Sequence, residues 1–424
     1  MKKKNIVTII MLLAFKTVLE LSYIFFVHKI YSYNGFYLDL AIDKFILSLI
    51  LSFIIIFIIV KYISNHNKAS QIILYIILIF LYLPIVSLYW MQNKSTIFIL
   101  GITLSFLIIM GVSIIFPRVK IVILKKREAK YLFIFIVTLM TTVVYGLLIS
   151  NGGLSRINLN LLNVYDTRAA YVQNTNIILN YSLSWQAHVI NLILLSLALY
   201  NRKYFYAFIV LGMQIFLFSM TNFKSHLLAP LVILFFYFFQ KTKWKNYFLL
   251  IMSIGSTTLV SLSLVLYKIS EDLILIPSMF IRRLFFVPAQ LHFQYFEFFE
   301  DKSKFLLSHS IFEGIIQTDY NVSPTQYMAK EYFNKDFSPN VGFFGDAYVN
   351  FGLVGLIVFA IFLGIIMLLI DSFSTKIPLF LTMAILVIPA MSLVNSAFLT
   401  TLLTHGVLLS LLMLWVVNGL FNKN

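Results

Sequence analysis

The sequence predicts an all-α, polytopic helical membrane protein of about 12 transmembrane helices, and three observations carry that prediction. Hydrophobic residues make up 61% of the 424 and charged residues only 11%, whereas a soluble globule carries about 25% charge. Apolar runs recur at about 20 residues, the length that takes a helix through a hydrocarbon layer about 30 Å thick. The shorter alternating segments of a membrane barrel do not occur.

The runs fall at 5–28, 44–62, 70–91, 96–116, 131–150, 182–200, 204–220, 226–240, 246–267, 346–370, 377–397 and 399–420. The first follows Lys2-Lys3-Lys4 as a signal peptide would, but Lys16 and Glu20 interrupt it and no small-residue cleavage site follows. An uncleaved first helix is expected. Only a short turn around Lys224 separates the seventh and eighth runs. The chain thus divides into helices 1–9 over residues 1–267, with an outer segment at 151–181, a large loop at 268–345, and helices 10–12 over 346–424.

Charge orients the bundle. With the N-terminus inside, inner segments carry 18 of the 32 Lys and Arg and outer segments 12, of which 7 lie in the long loop. Long loops cross regardless of charge, so the bias among short ones places both ends in the cytoplasm. Acidic residues run the other way, with 13 of 16 outside. The net charge of +16 reflects this orientation and not nucleic-acid binding. The two long segments, the second of 78 residues, point to work on the outer face.

The same reading narrows the chemistry. There is no cysteine, so thiol nucleophiles, thiolate metal sites and disulfides are excluded. The seven histidines are dispersed without HExxH spacing, no Asp-x-Asp occurs, and Asp39 and Asp43 are a weak cation pair. No metal or cofactor is expected. Arginine is favoured outside, with 4 of 12 cations against 3 of 18 inside. A planar guanidinium grips phosphate bidentately where lysine cannot, so Arg168, in a short helix opened by Asp166, and Arg282 and Arg283 are candidates for an anionic lipid-linked ligand. Against this stand plainer readings: Arg168 paired locally with Asp166, Lys224 as a snorkelling lysine, His292 and His405 as packing histidines, and Lys16–Glu20 as a self-neutralising pair holding helices together. Over Phe280 to Phe299, helical spacing sets Arg283, Gln290, Gln294, Glu297 and Asp301 on one face and aromatic residues on the other. That suggests an interfacial helix kinked at Pro288, either a simple anchor or a lid over a sugar–phosphate substrate.

Four stretches carry a resemblance: NVYDTRAAY (163–171), TNFKSHLLAPLVIL (221–234), RRLFFVPAQLHFQYFEFF (282–299) and GFFGDAYVNFGLVGL (342–356). With the topology, they resemble the Wzy-type O-antigen (oligosaccharide repeat-unit) polymerases of bacterial inner membranes. The arginine–glycine spacing of some members' outer loops does not follow these arginines. The resemblance implies glycosyl transfer at the periplasmic face, without metal or cofactor, between undecaprenyl-diphosphate-linked glycans in lipopolysaccharide or related polysaccharide biosynthesis. A hydroxyl of one repeat unit attacks the anomeric carbon of the growing chain and the lipid diphosphate leaves. A chain-length regulator and a flippase would be partners, with membrane lipid. On this reading the catalytic candidates are Arg168, Arg283, Glu297 and Asp346. Arg282, Lys224, Asp166, Tyr165, Tyr171, His292, Tyr320 and His405 would contact substrate. Asp319 and Tyr295 are further candidates for base and sugar platform. An O-antigen ligase uses the same donor, and a lipid-linked oligosaccharide flippase is the alternative from another class.

Overall fold

The computed structural model describes residues 3–63, 68–160 and 164–422, with the side chains of Val164 and Tyr165 outside that description. Among the described residues the chain is helical, with no strand beyond an isolated bridge between Asp39 and Gln92. Among the described residues, ten helices are long and apolar enough to cross a membrane. In chain order these are α1 (Lys3–Asn34), α2 (Ile42–Ile63), α3 (Gln71–Met91), α4 (Thr96–Ile115) and α5 (Lys126–Ser150). A short outer helix, α6 (Val164–Gln173), precedes α7 (Ile177–Tyr200) and α8 (Tyr204–Thr221). The shorter α9 (Lys224–Phe239) leads to α10 (Lys245–Ile269). The long loop contributes α11 (Val287–Phe299) and α12 (Pro324–Glu331). Then come α13 (Phe343–Phe373), the shorter α14 (Leu379–Asn395) and α15 (Phe398–Leu420). The protein is a polytopic helical membrane protein, and its ten long and two short apolar helices fall on the twelve apolar runs.

Apolar patterning decides each helix's place. α3 reads apolar all round and is the central post, 94% buried over its apolar window, while α5 is 11% buried and turns Tyr131, Ile134 and Phe135 outward. A helix hydrophobic on every side is buried in protein or lipid, and these two take one option each. Inside the bundle Lys16 donates to Glu20, and the Trp90 indole N–H donates to the same carboxylate oxygen at 2.8 Å. Of the two readings of this pair, the structure fits the structural one: the charges neutralise each other and tie α1 to α3.

The two faces differ. One, the terminal face, gathers Lys4 against Asn246, Asp371 against Ser70, and Lys376 against Asn422. The other, the loop face, carries residues 151–176 and 270–342. There α11 does not lie free at an interface. It packs among α1, α3, α4 and α13, with Phe296 stacked on Phe98 at 4.5 Å and tilted against Tyr348 at 4.8 Å, while Phe285, just ahead of it, stacks on Phe80 at 5.4 Å. The expected kink at Pro288 takes another form. Ser278–Phe286 is a wide π-helical stretch and Pro288 sits in the first turn of α11, where the wider hydrogen-bond ladder accommodates its missing N–H.

α13 is broken. Phe351 (φ −140°, ψ 17°) and Gly352 (φ 62°, ψ −147°) are non-helical, so a half-helix from Phe343 to Asn350 precedes the long span. Every residue of that half-helix is buried. Gly352 supplies the positive φ that a side chain resists. At Gly355 a Cβ would run into the carbonyl oxygen of Ala347, so the two halves cross where only glycine fits.

Candidate functional site

The half-helix 343–350 carries the most constrained polar group on the loop face. Asp346 is 4% exposed. One of its carboxylate oxygens accepts the Phe398 backbone N–H at 2.7 Å, at the start of α15, and the other accepts Asn350 Nδ2 at 3.0 Å. Asn350, one turn on, accepts the Leu307 N–H at 2.9 Å through its own side-chain oxygen. The backbone follows suit, with Phe305 and Leu306 donating to the carbonyls of Val349 and Asn350. The broken helix therefore exposes carbonyls that the returning loop satisfies, as buried irregular backbone requires.

Beside Asp346 lies a cavity of about 290 Å³. Tyr181 from α7, His309 and Glu313 from the loop, and Thr400 and Thr404 from α15 also line it. His309 packs edge-on to Phe305, and its Nδ1 is buried with no hydrogen-bond partner. Burial pushes its pKa down to about 4, so the imidazole is neutral at pH 7. A carboxylate, a neutral imidazole and two threonines thus line a space the size of one sugar ring. Among the described residues no lysine or arginine lines it.

The other expected site residues fall into two further places. The first is a shoulder built by α6 and the turn between α8 and α9. Asn222 takes a left-handed conformation (φ 51°) to end α8, and Arg168 Nη2 donates to its carbonyl at 3.1 Å with the guanidinium 5.1 Å from the Phe223 ring. Tyr171 is buried against Phe223, with burial raising its pKa, and its hydroxyl donates to Asn180. Asp166 and Lys224 are exposed on the same shoulder, while the Tyr165 side chain lies outside the described residues. From Phe223, ring contacts run through His226 at 5.4 Å to His188 at 5.3 Å. His188 stands one turn from Trp185, whose indole donates to the carbonyl of the cavity residue Leu403. His405, beside Thr404, shares a 2.9 Å hydrogen bond with Ser396. Shoulder and cavity are thus joined through α7.

The second place is α11, where the lid reading meets a physical obstacle. Glu297 pairs with Lys94 at 2.7 Å, and Gln290 Nε2 donates to the Asn34 carbonyl at 3.1 Å. Burial lowers the Lys94 pKa, and the Glu297 carboxylate and Tyr37 more than restore it, leaving it raised. Part of the polar stripe is spent on the chain's own loops: Gln290 and Gln294 are buried, whereas Glu297, although paired, and Asp301 stay exposed. Arg283 leaves the stripe because the π-helical stretch changes the angular step per residue; it is exposed, whereas Arg282 stacks 4.2 Å over Tyr31. His292 is fully buried, with Nδ1 2.6 Å from the Pro288 carbonyl, and is a packing residue rather than a substrate contact. Tyr295 is also buried and donates to the Pro339 carbonyl. Tyr320 stacks on Phe305 at 3.8 Å and its hydroxyl donates to the Ser303 carbonyl, which makes it a clip within the long loop.

Of the expected residues, then, Asp346 lines the cavity, His405 adjoins it, and Arg168, Lys224, Asp166 and Tyr171 stand on the shoulder. His309, Glu313, Tyr181, Thr400 and Thr404 were not singled out by sequence. Only Asn350 had a signal, its i,i+4 spacing from Asp346. No family model, curated protein or solved structure matches the chain.

Proposed function

We propose that the protein is a metal-independent glycosyltransferase that joins lipid-diphosphate-linked oligosaccharide repeat units on its loop face, in the manner of an O-antigen polymerase. One observation carries this reading: the fixed Asp346 carboxylate and the His309 imidazole line the same sugar-sized cavity on the loop face. On this reading an acceptor hydroxyl binds between them. Its oxygen attacks the anomeric carbon of the donor, the bond from that carbon to the phosphate oxygen breaks, and the diphosphate departs with the electron pair. The proton passes to the His309 imidazole. Asp346, held by two donors, also faces the positive charge that develops on the sugar ring.

The cavity is acidic, so the leaving diphosphate belongs outside it. The exposed Lys224 and the Arg168 guanidinium on the adjoining shoulder supply the cationic surface that it needs. The charge bias of the short loops supports a periplasmic loop face, and on this reading the protein sits in the bacterial inner membrane.

The test is reconstitution of the purified protein with polyprenyl-diphosphate-linked repeat units, followed by the ladder of products. A ladder lost in both Asp346→Asn and His309→Asn, at wild-type abundance, supports the assignment. Undiminished ladders from both variants would remove the cavity from the reaction. Translocation of the substrate without any longer product would make the protein a transporter instead.

A further inference from the structure

On the terminal face, far from the cavity, the two shortest spans meet. α9 has 16 residues and α14 has 17, which at 1.5 Å per residue gives about 24–26 Å. Both fall short of a hydrocarbon layer about 30 Å thick. They pack side by side, and the deficit is gathered at one end. There, the last turns of α9, the first turns of α14 and the start of α10 enclose a cavity of about 440 Å³. Its walls are apolar, with Phe236, Phe239, Phe248, Phe380 and Met383. The rings of Phe236 and Phe239 close on Phe248 at 5.4 and 5.6 Å.

Its rim is polar and cationic. Lys245 and Asn246 line it, together with Gln240, and no acidic side chain does. A second, smaller cavity shares Lys245, Asn246, Phe248, Leu379 and Met383 with the first and extends to Lys4 and Gln71. Lys4 lies 4.8 Å from the Tyr247 ring beside it. Lys241 and Lys243 add charge in the same turn, and Trp244, exposed beside them, has the amphipathic ring favoured at a membrane–water boundary.

We infer that this groove is a binding site for one anionic phospholipid, with an acyl chain between α9 and α14 and the headgroup phosphate on Lys245. The apolar walls fit hydrocarbon. The one-sided cationic rim fits an anionic headgroup and not a zwitterionic one. The lipid also fills the space that two short spans leave open, which is how mismatch is relieved without tilting a buried helix.

Native mass spectrometry of the purified protein, titrated with phosphatidylglycerol and with phosphatidylcholine, tests this. One phosphatidylglycerol should be retained with about fivefold preference, the ratio that ~1 kcal/mol of attraction per lysine gives. Lys245→Gln should abolish the preference, while Lys243→Gln, which changes a cation that does not line the groove, should leave it. Met383→Trp should fill the apolar space and expel the lipid, and Leu379→Trp should do the same from the half-buried end of α14. Equal retention of the two lipids would overturn the inference, as would equal effects of Lys243→Gln and Lys245→Gln. So would a lipid still held by whichever tryptophan variant folds.

Discussion

At Asp346 and Arg168 the sequence and the structure agree on position and part on partners. Asp346 was legible as a polar residue at the outer end of an apolar run, and Arg168 as an arginine in the short helix of the outer segment. Their contacts depend on chain 52 and 54 residues away: Phe398 N–H for Asp346, the Asn222 carbonyl for Arg168. His309 had no signal at all, since a histidine between two serines in a long loop looks like any other until its neighbours bury it. We expect Asp346→Asn and His309→Asn each to lower the polymerisation rate by about 10²–10⁴-fold, the usual worth of a positioned acid or base, as read from single-turnover chain extension. Because a base works only when unprotonated, and burial pushes His309 down to about 4, the acid limb that belongs to His309 should lie near pH 4. It should be read in Asp346→Asn, where the buried carboxylate of the cavity is gone. A limb near pH 6.5 in that variant would mean an ordinary, solvated histidine and would take His309 out of the base role. Arg168→Lys keeps the charge but loses the planar fork that reaches Asn222 while stacking on Phe223. Its ladder should shorten even at matched abundance, with unfolding eased by about 1–2 kcal/mol, the worth of a charge-assisted hydrogen bond.

Among the elements, the broken α13 and the buried α11 decide how the loop face is built. An unbroken 25-residue apolar run at 346–370 reads as a single span, and no period change marks the half-helix. Gly352 and Gly355 are the physical cause of the break: one takes a backbone angle that a Cβ opposes, and the other lets the second half pass the Ala347 carbonyl. Gly355→Ala should therefore displace the half-helix carrying Asp346. The expected result is loss of product ladder out of proportion to loss of folded protein. Gly352→Ala, strained only in its backbone, should cost about 1–2 kcal/mol. Helical spacing placed Gln290, Gln294 and Glu297 on one face correctly, because α11 is a regular helix there. It misplaced Arg283, because the π-helical stretch before α11 does not keep the α-helical step. What the stripe touches could not be read from spacing. For Glu297→Gln we expect destabilisation of about 1–2 kcal/mol through the stranded Lys94 cation, measured as a lower unfolding midpoint. Lys94→Met with Glu297→Met should restore much of it and leave chain length unchanged. Shortened chains in that double variant would bring back the lid.

For the whole molecule, orientation is the statement most exposed to test. Cysteine-free background makes single-cysteine labelling direct. A cysteine at Asn334, in the long loop, should react with an impermeant reagent in intact spheroplasts, and one at Lys243, in the turn after α9, should react only after lysis. The reverse pattern would turn the proposed active face inward, where no lipid-linked periplasmic glycan can reach it.

The sequence by itself determined the class of protein, the number and order of its apolar helices and the two segments too long to be mere connections. These depend on composition and on runs within single helices, and burial of backbone polar groups in lipid allows few other solutions. Only the tertiary structure decided which charges meet. Lys94 and Glu297 are 203 residues apart, and Asp346 shares its cavity with side chains from α7, the long loop and α15. Such meetings arise from packing between helices that lipid makes nearly interchangeable in outline. A hydrophobic pattern says that a helix is buried, but not which neighbour buries it.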